Sequence, residues 1–171
     1  MLNQKVQDAI NNQINAELFS SYLYLSMSHF FESMNLSGMA HWMKIQAEEE
    51  KIHAEKFMNF VNDAGGRVVL AAIDAPQIDW ETPLAVFEDA LGHERKITGM
   101  INELVDIAQT DKNHATNSLL QWFVDEQVEE EASADNIVQK LKLVGDNGTG
   151  ILMIDNELGT RPMPAPAAPA E

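Results

Sequence analysis

The sequence predicts an all-α fold, and three observations carry that prediction. Only 9 glycines and 6 prolines occur in 171 residues, and they gather at a few points that leave four long segments uninterrupted. Within each segment apolar residues recur in alternating steps of four and three, the spacing of one helix face. The hydrophobic share, 45%, suits one sizeable core in a chain of this length and leaves little for a second. We expect one domain over residues 1–158, built from four long helices and a short fifth.

The first helix runs from about Asn3 to Ser33, with Val6, Ile10, Ile14, Glu17, Tyr24 and Phe31 on its inward seam. The turn "MNLSG" leads to a second helix from about Gly38 to Ala64, which Gly65-Gly66 stop. Its seam reads Met39, Met43, Gln46, Glu50, His53, Phe57 and Phe60. The third opens at "TPLAVFEDAL", where Thr82 can cap and Pro83 suits a position whose N–H needs no partner. It should end near "QTDKN", after a seam of Phe87, Ala90, Glu94, Ile97, Ile101 and Leu104. The fourth, His114 to Val144, carries Leu120, Phe123, Gln127, Glu130, Ala134, Ile137 and Leu141, and stops at Gly145. "ILMIDNEL" supplies the fifth helix, and the Pro/Ala-rich "GTRPMPAPAAPAE", residues 159–171, is expected to be disordered. Having no ligand geometry, that tail is expected to be dispensable beyond Gly159.

Charge narrows the function. With 27 acidic against 11 basic residues and a formal net charge of -16, nucleic acid and anionic membranes are disfavoured partners and cations favoured ones. No cysteine is present, so any metal must be held by oxygen and imidazole. "MLNQKVQDAINNQ" has no apolar signal region, and no run approaches the roughly 18 apolar residues of a membrane span. A soluble, cytoplasmic protein is expected.

Each seam is interrupted by polar residues near its middle, and these interruptions match in height. Folding the first two helices about residues 34–37 brings Glu17 level with Glu50 and His53, and folding the other two about residues 110–113 brings Glu94 level with Gln127 and Glu130. Glu50 follows Glu17 by 33 positions, as Gln127 follows Glu94, and both second members are i, i+3 pairs that share a helix face. Buried carboxylates are normally paired, yet no Lys or Arg stands on any seam; Lys51, Lys56, Arg95 and Lys96 are one or three residues off it. Protonated carboxyls sharing protons are a second alternative. Neither accounts for the matched spacing, whereas two divalent cations would balance the four carboxylates Glu17, Glu50, Glu94 and Glu130, with His53 and Gln127 as neutral donors. Oxygen-rich ligation with one imidazole suits Fe²⁺ or Mn²⁺.

Four helices presenting Glu17, Glu50-x-x-His53, Glu94 and Gln127-x-x-Glu130 resemble the ferritins, specifically the non-haem ferritins of prokaryotes, over residues 1 to 158. The resemblance implies a ferritin-like four-helix bundle with a long crossover between the second and third helices. It also implies that Glu17 and His53 hold one iron, Glu94 and Glu130 a second, that Glu50 bridges them, and that Gln127 hydrogen-bonds the oxygen ligand between them. A third iron position would fall on Glu49, Glu126, Glu129 and Glu130, and Tyr24 would be a redox or outer partner, or else an amphipathic core tyrosine. No haem is implied, because the second half lacks Glu-x-x-His and Lys51 follows Glu50 where a haem-ligating Met would stand. The implied activity is oxidation of Fe²⁺ by O2 or H2O2 at two irons per subunit, with ferric mineral stored in a homo-oligomeric shell of 24 subunits. A di-metal oxidase or peroxidase acting on an organic substrate, and a non-catalytic shell protein, are the competing classes. His29, His41, His93 and His114 lie off the seams and read as surface or interface residues, and Trp122 as packing.

Overall fold

The computed structural model describes residues 2–164, which form five helices: α1 Gln4–Ser33, α2 Ser37–Asp63, α3 Pro83–Thr110, α4 His114–Val144 and α5 Gly148–Leu158. Side-chain oxygens start four of them. Asn3, Thr82, Asn113 and Asn147 accept from the backbone N–H groups of Val6, Ala85, Thr116 and Gly150 at 2.9–3.1 Å. The cap at Asn147 starts α5 three residues before the expected "ILMIDNEL". Leu36 gives α2 no such cap, and the missing acceptor comes from elsewhere in the chain: Asp155 Oδ1 of α5 accepts from Met39 N at 2.8 Å.

That contact fixes α5 over the start of α2. A Cβ on Gly38 would lie 1.7 Å from the carbonyl oxygen of Asp155, so only glycine lets the two backbones come this close. Gly145, at φ 52°, ends α4 in a conformation that L side chains rarely adopt and turns the chain toward α5.

α1 and α2 form one antiparallel hairpin, α3 and α4 another. The connection between them could run either way on length alone, since 17 extended residues reach about 56 Å against a bundle of about 40 Å. It recrosses the bundle along α1. Asn11 bonds Arg67 and Val69 backbone groups, Asn15 bonds Ala72 O and Ser26 bonds Gln77 O, after which Trp80 meets Phe30 edge-on and donates to Asp89. α3 therefore runs parallel to α2, the arrangement that the resemblance implies.

Hydrophobic packing is divided. One cluster, including Phe31, Met39, Met43, Phe87 and Leu141, fills the end that α5 closes. Another, including Ile10, Phe57, Ile101, Leu120 and Phe123, fills the opposite end. Every seam residue is buried except Phe60, which is half-buried. Between the clusters lies a layer of buried polar side chains. Among the described residues, no helix is long and apolar enough to cross a membrane.

Candidate metal centre

Each long helix contributes to this layer at mid-length. Glu17 comes from α1, Glu50 and His53 from α2, Glu94 from α3, and Gln127 and Glu130 from α4, all between 1% and 6% exposed. Glu17, Glu50 and His53 each offer a ligand atom within 4.8 Å of the other two, and His53, Glu126 and Glu130 do the same. His53 is common to both groups, so they adjoin.

The hydrogen bonds around the layer are uneven. Glu17 accepts from Gln13 Nε2 at 2.9 Å through Oε1, but its buried Oε2 has no N–H or hydroxyl donor, and the neighbouring Glu50 carboxyl can satisfy it only by sharing a proton. Such an acceptor costs about 1–3 kcal/mol unless something binds it, and a cation aimed between Glu17, Glu50 and His53 would. On the opposite side Glu94 is fully engaged, accepting from the Tyr24 hydroxyl at one oxygen and from Gln127 Nε2 at 3.2 Å at the other. Glu130 Oε2 accepts from Gln46 Nε2 at 2.6 Å.

Burial is the main electrostatic fact. It pushes the carboxyls of Glu17 and Glu50 well above the usual range, with Glu50 adding to the effect at Glu17, and Glu94 and Glu130 adding at Glu50. Burial likewise raises Glu94, and it raises Glu130 to about 8 with the charge of Glu94 behind it. Tyr24 is raised by burial and then by Glu94 and Glu50. Each of these groups is thereby biased toward its protonated form in the metal-free layer.

His53 is walled by aromatic rings. Trp122 and Phe123 meet it edge-on at 5.4 and 6.0 Å, Phe123 stacks on Phe57 at 3.9 Å, and Lys56 sits 3.8 Å over Trp122. Beside Gln127 a cavity of about 350 Å³, lined by Thr98, Ile101, Gln127 and Glu131 among others, opens between α3 and α4.

The flanking acids divide. Glu126 is half-buried and joins His53 and Glu130, Glu129 is exposed, and Glu49 is paired with Arg161. Arg161 belongs to the stretch expected to be disordered; residues 165–171 of that stretch lie outside the described residues. Gln46 and Arg161 contact the layer and were not among the expected site residues. Gln46 had the signal, being a polar break in the α2 seam four residues before Glu50; Arg161, alone in a Pro/Ala-rich run, had none. His29 and His114 are exposed and His41 half-buried, but His93, expected at a surface or interface, is buried. It bonds Ser20 at 2.7 Å, packs against Tyr24, and burial lowers its pKa to about 4. The α1 face that covers it could not be located from α3 alone.

A bundle with an intrachain layer of carboxylates and one imidazole, split between two helix hairpins, defines the ferritin-like class of four-helix proteins. The family described as ferritin-like domain matches residues 7–144, and the chain belongs to the ferritin family. It is 48% identical over 161 residues to a bacterial non-heme ferritin of Bacteroides fragilis, covering 94% of this chain and 100% of the relative. A bacterial non-heme ferritin of Staphylococcus aureus is 37% identical over 161 residues, covering 94% and 97%. Among solved structures, an open pore ferritin from the hyperthermophilic archaeon Archaeoglobus fulgidus superposes with a TM-score of 0.94 at 48% identity, covering 95% of this chain and 100% of that one.

Proposed function

We propose that this ferritin stores iron by oxidising Fe²⁺ with O2 between the two hairpins of each subunit and passing Fe³⁺ to a mineral inside a homo-oligomeric shell, in the cytoplasm. The observation that carries this reading is the buried layer itself: four carboxyls and one imidazole with no Lys or Arg among them, and Glu17 Oε2 left without an N–H or hydroxyl donor. Fe²⁺ is substrate here, and the donor set fits it, since carboxylate oxygens with a single imidazole suit a hard to borderline ion. In the first position Glu17 and His53 hold one Fe²⁺; in the second, Glu94 and Glu130 hold another. Glu50 lies between them. Gln127, hydrogen-bonded to Glu94, faces the oxidant's side. The cavity beside Gln127 offers Fe²⁺ and O2 a way in.

Two irons side by side supply two electrons together, so O2 takes up two electrons and two protons to give H2O2 without a free one-electron product. Protons driven off the carboxyls on iron entry are at hand for that step. Glu126 extends the site toward a third iron position, for which Glu129 and Glu130 are further donors. Acidic charge overall draws Fe²⁺ toward the shell. Against an organic substrate stands the packing: Phe57, Trp122 and Phe123 occupy the space next to His53. A shell of 24 subunits is the assembly that the similarity to ferritins implies.

Stopped-flow absorbance after mixing metal-free protein with aerobic Fe²⁺, run beside a sizing column, tests both halves of the proposal. A fast phase saturating at two Fe²⁺ per subunit in an assembled shell is expected. Oxidation no faster than in buffer would overturn the catalytic half, and an eluting monomer the storage half.

A further inference from the structure

After α5 the chain sends Arg161 back across α2 to the edge of the carboxylate layer. Its carbonyl oxygen bonds the ring of His41 at 2.9 Å, and its guanidinium lies 4.5 Å from the ring centre of Trp42. Nη1 donates to Gln46 Oε1 at 2.8 Å, and Nη2 pairs with Glu49. Gln46, 1% exposed, turns its other end inward: Nε2 donates to Glu130 Oε2 at 2.6 Å and lies 3.4 Å from Glu50 Oε1. A continuous path thus joins the start of the tail to two carboxyls of the centre.

The path has a direction. A guanidinium has only donors, so the amide end facing Arg161 must be the carbonyl oxygen, and the NH₂ must face the carboxylates. Without Arg161, Oε1 would be a buried acceptor with nothing to bind, and the amide could turn over, setting its oxygen against Glu130 and Glu50. With Arg161 in place, Glu130 is held through Oε2 while Oε1 stays available.

We propose that Arg161 is a positioning residue for the second iron position, acting through Gln46 to hold Glu130 by one oxygen and leave the other for the metal. This rests on the reading that Glu130 takes Fe²⁺. The same guanidinium occupies Glu49, so Glu49 joins a third position only when Arg161 lets go.

Anaerobic Co²⁺ titration of the assembled protein, followed by visible absorption, reads occupancy and ligand geometry without turnover. Wild type should bind two Co²⁺ per subunit. Arg161→Ala should keep the first and bind the second about tenfold more weakly, with an altered spectrum for the second ion, as loss of one hydrogen bond to a charged group implies. Gln46→Leu should do the same while leaving the Arg161–Glu49 pair in place, so the test stands even if Arg161→Ala fails to assemble. The double variant should be no weaker than Gln46→Leu alone, because one path is broken twice. A Gln46→Leu or Arg161→Ala curve superimposed on wild type would overturn the inference alone, as would losses that add in the double variant. A wild type that binds no Co²⁺ would overturn the metal reading and this inference with it.

Discussion

Loading the centre with a divalent ion should expel protons, and the structure sets the scale. Burial holds the Glu130 carboxyl at about 8, so at pH 7 it carries about 0.9 proton in the metal-free protein and none once its oxygen is bound to metal. Glu17, Glu50 and Glu94 are raised for the same reason and add to the count. The sign follows from linkage. A carboxyl raised in the folded state favours folding fully below its unfolded value near 4.5, and that contribution is lost as pH rises through about 8. For Glu130 alone the loss is on the order of 5 kcal/mol. Metal-free protein should therefore unfold at lower temperature at pH 8 than at pH 6, while the Co²⁺-loaded protein should lose less over that interval. Apparent affinity should climb about tenfold per pH unit for each proton displaced, the contribution of Glu130 flattening above about pH 8. Calorimetric titration of Co²⁺ under argon, in two buffers of different ionisation enthalpy at pH 7, counts the protons directly; more than one per subunit is expected. A count near zero, with a metal-free unfolding temperature flat from pH 6 to 8, would refute the electrostatic picture.

Four other perturbations bear on separate parts of the structure. Glu50→Ala should abolish the fast oxidation of the first two irons in a normally assembled shell, and unchanged stopped-flow kinetics would refute its place between the metals. Tyr24→Phe removes the hydroxyl that Glu94 accepts from, and should slow the fast phase about tenfold with metal stoichiometry intact; an unaltered rate would make Tyr24 a packing residue. Gly38→Ala would ordinarily favour a helix, yet its Cβ would meet the Asp155 carbonyl, so calorimetry should show a lower melting temperature, with overpacking costing about 1–3 kcal/mol; a higher one would mean that α5 yields freely. Gln127→Glu with Glu130→His makes the two halves alike and should retain iron after desalting where wild type gives it up. Equal metal occupancy in crystals of the two would end that idea.

How much of this was written in the sequence depends on the range of the interaction. Helices and seams were legible because a period of 3.6 is local, and matched polar breaks at equal heights are enough to place Glu17, Glu50, His53, Glu94, Gln127 and Glu130 in one layer. Asn147 was missed as a cap because the glycines after it read as turn. Interactions between elements distant in sequence were the blind spot. Ser20 covering His93, Asp155 capping α2 and Arg161 reaching Gln46 each join residues more than 70 positions apart, and no periodicity records them. Arg161 also changes an expectation of substance. If Arg161 acts as proposed, a cut after Gly159 should weaken the second metal position and a cut after Arg161 should not.

The repeat that reveals the site also conceals how its halves differ. A shift of 77 positions carries Glu17 to Glu94, Glu50 to Gln127 and His53 to Glu130, but it carries Tyr24 to Ile101 and Gln46 to Phe123. Tyr24, which bonds Glu94, and Gln46, which bonds Glu130 and lies 3.4 Å from Glu50, therefore have apolar counterparts in the repeat. Tyr24 and Gln127 occupy both oxygens of Glu94, whereas Glu17 and Glu130 each have one oxygen bonded, by Gln13 and Gln46, and His53 is wrapped by Trp122 and Phe123. A carboxylate whose hydrogen bonds persist without metal loses little when an ion departs; one left unpartnered in a dry layer loses much. On the proposed reading, metal held by the fully bonded Glu94 should therefore leave more readily than metal held by Glu17, and site occupancy in crystals of iron-loaded, desalted protein would show it; equal occupancy beside the two residues would refute the argument.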